Sequence, residues 1–163
     1  MHHLANLADT TLEHIMAYAP IHTRLASSGQ PNPVQFELIA QTGFEVVINL
    51  ALTDASNVLH GEDRLVLELG MDYINLPILF DRPSTRQITR VLQLLHDLRD
   101  QKVWLHCALN YRVSSVIYLY RVLYLGMDPA EARALLEQVW VPDEVWQGVM
   151  DELQRLNLTP DTY

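Results

Sequence analysis

Apolar positions along the chain follow two alternating rhythms. Val46-Val47-Ile48-Asn49-Leu50 is short, β-branched and preceded by Gly43, the pattern of a strand buried on both faces. Ahead of it, the stretch from Pro33 to Thr42 carries Val34, Phe36, Leu38, Ile39 and Ala40. Pro33 at its first position and Gly43 just past its end predict a helix there. A second apolar run, Tyr73-Ile74-Asn75-Leu76-Pro77-Ile78, reads as a strand and follows a short helical piece from Glu62 to Leu69 that Gly70 terminates. Ser84 or Thr85 then caps a strongly periodic helix holding Ile88, Val91, Leu92, Leu94, Leu95 and Leu98. Val103-Trp104-Leu105-His106 is a third strand, ending at Cys107, and a mostly apolar helix follows from about Val113 to Leu125. Two further amphipathic helices, Pro129–Val139 and Pro142–Leu156, are separated by the Val141-Pro142 break.

This alternation predicts an α/β fold: a central, mainly parallel sheet flanked by helices on both faces, with C-terminal helices appended. No internal repeat, linker or compositional break interrupts it. The expectation is a single domain over residues 1–163, with a core of about 20–126 and an acidic helical extension of about 127–163.

Composition narrows the partners. Of 163 residues, 49% are apolar and 19% charged, which argues against disorder. The net charge is −9, and residues from Gly126 onward contribute eight acids against two bases, leaving only −3 for residues 1–125. Nucleic acid is not an expected partner, because backbone-phosphate binding needs cationic surface. An anionic ligand is expected only ahead of the tail. Cys107 is the lone cysteine, so no intramolecular disulfide forms and a reducing, cytoplasmic compartment is expected. The residues Met1–Asp9 lack the pattern of a signal peptide. The longest apolar stretch, Val113 to Leu125, is interrupted by Ser114, Ser115 and Arg121 and is too short for a bilayer, so no membrane partner is expected.

In such sheets ligands sit beyond the carboxyl ends of the strands. Val103-Trp104-Leu105-His106-Cys107-Ala108-Leu109-Asn110-Tyr111-Arg112-Val113-Ser114-Ser115 is such a place: a thiol ends a strand and a short loop leads to an arginine at a helix start. Helix-terminal N–H groups and the dipole attract an oxyanion. Arg112 can grip two oxygens, and the same field favours a Cys107 thiolate. The plain alternative is a buried apolar cysteine beside a surface arginine.

His106-Cys107-x-x-Asn110-x-Arg112-x-Ser114 resembles the phosphate loop of protein tyrosine and dual-specificity phosphatases. Ser27-Ser28-Gly29-Gln30-Pro31, the helix after it, Gly43 to Leu50, and Gly70 to Ile78 are similar to the bacterial phosphatase-like family sometimes joined to β-lactamase-fold hydrolases. The similarity runs from about Thr23 to Leu125. One feature departs from the family, whose spacing is Cys-x5-Arg where this chain has Cys-x4-Arg. Either Val113 stands in the arginine position, with Ser114 on the hydroxyl position, or the loop is one residue shorter and Arg112 serves from a changed angle. Asn110 occupies the glycine position and tolerates positive φ. The six-residue loop also resembles that of rhodanese-type sulfurtransferases, whose thiol carries a persulfide.

The phosphatase resemblance implies hydrolysis of phosphate monoesters through a phosphocysteine intermediate. The substrates would be phosphotyrosine or phosphoserine/threonine proteins, or small phosphoesters. It implies Cys107 as nucleophile, Arg112 as phosphate clamp and Asp81 as general acid. The loop Ala108, Leu109, Asn110, Tyr111, Arg112, Val113 and Ser114 would bind phosphate, Ser114 would assist departure of the thiolate, and His106 would orient the loop. Asp81 also fits a turn or N-cap, and Asp54 is the reserve acid. Arg82, Arg86 and Arg90 form a stripe that either draws in anions or is a solvated helix face. Tyr111 either walls the pocket or covers the core, while Tyr118, Tyr120 and Tyr124 are packing residues. His2, His3, His60 and His96 show no metal-ligand spacing, so no metal and no cofactor are expected. The other readings are a non-catalytic, oxyanion-binding regulatory module and the sulfurtransferase.

Overall fold

In the computed structural model, residues 11–160 are described; the whole Met1–Asp9 stretch discussed above, His2 and His3 included, lies outside them. Five strands and six α-helices occur among the described residues. The strands are β1 (Ala19–His22), β2 (Leu25–Ser28), β3 (Val46–Asn49), β4 (Asp72–Asn75) and β5 (Val103–His106). The helices are α1 (Pro33–Gln41), α2 (Glu62–Glu68), α3 (Thr85–Asp97), α4 (Tyr111–Leu119), α5 (Pro129–Glu137) and α6 (Glu144–Leu156). The sheet order is β1-β2-β5-β3-β4, parallel except for the antiparallel edge strand β1. The α/β expectation holds.

Alternation along each central strand divides the core. Val46, Ile48, Val103 and Leu105 face one way, into a cluster with α3, α4, α5 and α6; Val47 and Trp104 face the other, with Phe36, Ile39, Val66 and Met71. The helix starts are locally encoded. Asn32 and Gln35 form a reciprocal capping box ahead of α1, whose first residue is Pro33. The Ser84 hydroxyl accepts the Gln87 amide at α3, and Asp128 and Asp143 side chains cap α5 and α6. Helix α3 buries Ile88, Val91, Leu92 and Leu95, each contributing about 1.5–3 kcal/mol of apolar burial.

Several elements differ from the sequence reading. The β1–β2 hairpin had no apolar signature because β2 buries Ser27 and Ser28. The Ser27 hydroxyl donates to the Ala19 carbonyl at 2.9 Å, and Ser28 Oγ accepts the Trp104 indole N–H at 2.9 Å. Strand β4 ends at Asn75, although the Leu76 and Ile78 N–H groups still donate to the Asn49 and Leu50 carbonyls at 2.9 and 3.0 Å. The helix after Cys107 starts at Tyr111 rather than Val113, and gives way after Leu119 to a π-turn over Tyr120–Tyr124. Tyr118 and Tyr120 are buried in the larger core cluster and Tyr124 packs against it. Trp146, Met150 and Leu153 of α6 belong to the same cluster. No helix among the described residues is long and apolar enough to cross a membrane.

Candidate active site

The strand register assembles the site. Ser28, His106, Asn49 and Asn75 stand in one row across β2, β5, β3 and β4, at the carboxyl edge where α/β sheets place ligands. Cys107 is the next residue off β5 and is 1% exposed.

That loop ends in a helix terminus without a cap. Asn110 adopts the left-handed conformation (φ 70) and makes no capping bond. Its amide instead donates to the Ala17 carbonyl at 2.8 Å and to Ser27 Oγ at 3.3 Å. The helical ladder begins with the Ser114 N–H donating to the Asn110 carbonyl at 2.9 Å. The amides of Tyr111, Arg112 and Val113 precede it and have no acceptor within the helix.

Arg112 is almost wholly buried. Its guanidinium donates to the Ile78 carbonyl at 2.9 Å and lies 6.0 Å from the Phe80 ring centroid. Cys107 and Arg112 line one cavity of about 170 Å³ with Ala108, Leu109, Tyr111 and Phe80. Of the two residues that the shortened loop could align with the family's arginine, Arg112 lines the cavity with Cys107, whereas the Val113 side chain is buried in the core. The Ser114 hydroxyl donates to the Tyr111 carbonyl at 3.1 Å, one turn back along its own helix.

An aromatic wall stands at the mouth. Tyr111 stacks on Trp140 (4.7 Å between centroids, 4° between planes), and Phe80 lies 5.6 Å from Trp140. Tyr111 thus both lines the pocket and packs against a tail residue. Asp81 follows Phe80 but is 78% exposed, 3.9 Å from Arg82, and is not among the residues lining the cavity. Arg82, Arg86 and Arg90 are exposed and none lines it. Asp54 is exposed as well. Among the described residues no three His, Cys, Asp or Glu side chains gather as a metal site.

Behind the loop lies a polar network. His106 is fully buried, with Nε2 2.7 Å from Glu62 Oε2 and Nδ1 3.1 Å from the Cys107 carbonyl oxygen. Glu62 also accepts from Gln30 Nε2 and, at 3.2 Å, from Asn49 Nδ2, which donates as well to the Tyr73 hydroxyl oxygen at 3.1 Å. Burial beside this group pushes the Tyr73 phenol up to about 12. Gln30 belongs to the Gly29-Gln30-Pro31 element, whose role is now plain. A Cβ on Gly29 would stand 2.8 Å from the Ala108 carbonyl oxygen, so only glycine fits where β2 passes the loop. Glu62, Phe80, Trp140 and Trp146 carry no motif that would have marked them in the sequence.

A five-stranded sheet of this order, delivering a cysteine and an arginine to one helix terminus, is the architecture of protein tyrosine and dual-specificity phosphatase-like proteins, and this chain has that fold. It is similar to the "putative phosphatase (DUF442)" of Shewanella putrefaciens CN-32, with 29% identity and a TM-score of 0.80 over 90% of this chain and 96% of that one. Tk-PTP in its active form is 21% identical with a TM-score of 0.73, over 85% of this chain and 97% of that one. TpbA of P. aeruginosa, in complex with phosphotyrosine, is 17% identical with a TM-score of 0.68, over 87% of this chain and 90% of that one. No protein-family model and no curated protein matches the sequence.

Proposed function

We propose that the chain is a cysteine-dependent phosphatase acting on phosphate monoesters. The observation that carries the reading is the shared cavity: Cys107 and Arg112 line it together, at an uncapped helix terminus, in a fold whose solved relatives are phosphatases. The Cys107 thiolate attacks phosphorus and the ester oxygen leaves, taking a proton from an acid; water then cleaves the S–P bond to release phosphate and regenerate the thiol. Arg112 and the amides of the loop hold the equatorial oxygens, on which charge builds in the transition state. Asp81 is the acid of this scheme. It stands one residue from Phe80, so the loop over residues 77–84 has to turn inward for its carboxyl to reach the leaving oxygen. The lip of Phe80, Tyr111 and Trp140 favours an aryl phosphate such as phosphotyrosine, the ligand held by TpbA, whose phenol would be the leaving group.

Hydrolysis of p-nitrophenyl phosphate by the wild type and Cys107→Ser between pH 5 and 8 tests the reading. Turnover that disappears with the thiol is the expected result; equal turnover in both proteins overturns it. The exposure of Asp81 favours one second reading, an oxyanion-binding module without turnover. Orthovanadate bound by a protein that hydrolyses nothing is its signature.

A further inference from the structure

Both ring nitrogens of His106 meet oxygen. A carbonyl oxygen can only accept, so Nδ1, 3.1 Å from the Cys107 carbonyl, carries a proton and donates it there. On the other side, Nε2 and Glu62 Oε2 lie 2.7 Å apart and hold a second proton between them. Glu62 is itself fixed, because it is 4% exposed and also accepts from Gln30 and Asn49. His106 can therefore neither turn nor change tautomer without breaking a buried bond.

The same carboxylate reaches the loop by a second route. Gln30, whose side chain donates to Glu62 Oε1, uses its backbone N–H to hold the Ala108 carbonyl at 3.0 Å. Asn57 Nδ2 donates to that carbonyl as well, at 3.0 Å. The carbonyls of Cys107 and Ala108 are thus both held on the outside of the loop. In a trans peptide the N–H points opposite to the C=O. Pinning these two carbonyls fixes the N–H groups of Ala108 and Leu109 on the opposite side of the loop, and both residues line the cavity.

We infer that Glu62 is a positioning residue for the anion-binding loop. Through His106 on one side and Gln30 on the other, one buried carboxylate sets the orientation of the first two loop peptides. This rests on the reading above, that the loop receives a phosphate.

The test compares the full-length wild type with Glu62→Ala, Glu62→Gln and Gln30→Ala. Three readouts are used: calorimetric binding of orthovanadate, turnover of p-nitrophenyl phosphate, and ¹⁵N NMR of the His106 ring. In the wild type Nδ1 is protonated and slow to exchange. Glu62→Ala loses that signature, weakens orthovanadate binding, and lowers kcat/KM by about 10²-fold, the scale of an ångström-level misplacement. Glu62→Gln can donate an amide N–H to Nε2 while Nδ1 keeps its proton, but it sets that amide against the Asn49 amide, which also donates to Oε2, and so recovers only part of the binding. A folded Glu62→Ala protein with the wild-type His106 signature and wild-type orthovanadate affinity overturns the inference. If Glu62→Ala does not fold, Gln30→Ala decides: weaker orthovanadate binding with the His106 signature intact supports the second route, and unchanged affinity overturns it. A wild type that binds orthovanadate without turnover overturns the phosphatase reading alone, whereas one that binds none overturns both.

Discussion

The indole N–H of Trp146 donates to the backbone carbonyl of Phe80 at 2.8 Å, across 66 residues of sequence. Phe80 lines the cavity over Cys107, so this bond ties the acidic C-terminal helix α6 to the lip of the site. Trp140 extends the tie by stacking on Tyr111. The tail thus supports the loop that carries Phe80 and Asp81.

Trp146→Ala is expected to cost about 3–5 kcal/mol, the range for emptying a buried aromatic position, because the ring is 0% exposed. Trp146→Phe keeps most of the volume and removes the bond to Phe80, costing about 1 kcal/mol. Urea denaturation of the two variants checks both values. Near-equal losses would show that the hydrogen bond, not the packing, dominates.

Arg112→Ala removes the only side-chain cation lining the cavity among the described residues, together with its bond to Ile78. A loss in kcat of about 10²–10³-fold is expected, the scale measured for one oxyanion donor. Arg112→Lys restores charge without the two-pronged geometry and should recover only part of the loss. Steady-state kinetics on an aryl phosphate reads both.

Asp81→Asn is expected to lower kcat by about 10²–10⁴-fold and flatten the alkaline limb of the pH–rate profile, as loss of a general acid does. A substrate whose leaving group needs no proton should be nearly unaffected. An unchanged profile would return Asp81 to the role of a turn residue.

Gly29→Ala places a methyl group 2.8 Å from the Ala108 carbonyl oxygen, a backbone atom that cannot step aside without moving the loop. Orthovanadate binding should weaken while overall folding, followed by circular dichroism, persists. Unchanged binding would mean that β2, not the loop, absorbs the displacement.

Burial raises the Tyr73 phenol from 10.0 to about 12, so the folded chain holds this proton more tightly than the unfolded one. Its contribution is fully present below pH 10 and is lost as pH rises toward about 12. Tyr73→Phe should therefore show a smaller fall in Tm across that window than the wild type. Thermal melts between pH 9 and 12 measure the difference.

Much of this protein could be read from order along the chain alone. The helix cap at Ser84, the β-branched run at Val46, and the apolar stripe of α3 act through neighbours a few residues away, so they leave local traces in the sequence. The run His106-Cys107 to Arg112 is likewise contiguous, and a strand entering a helix suffices to bring its thiol and guanidinium to one cavity. Other features follow from tertiary packing alone. Ser27 and Ser28 are buried strand residues whose hydroxyls are satisfied by Ala19 and Trp104, so hydropathy hides β2. Glu62 meets His106 across 44 residues, and Trp146 meets Phe80 across 66. Such pairs have no spacing rule, because they depend on which faces of separate elements come together once the sheet is assembled. The chemistry-bearing loop is a local object, whereas the buried groups that orient it come from distant parts of the chain.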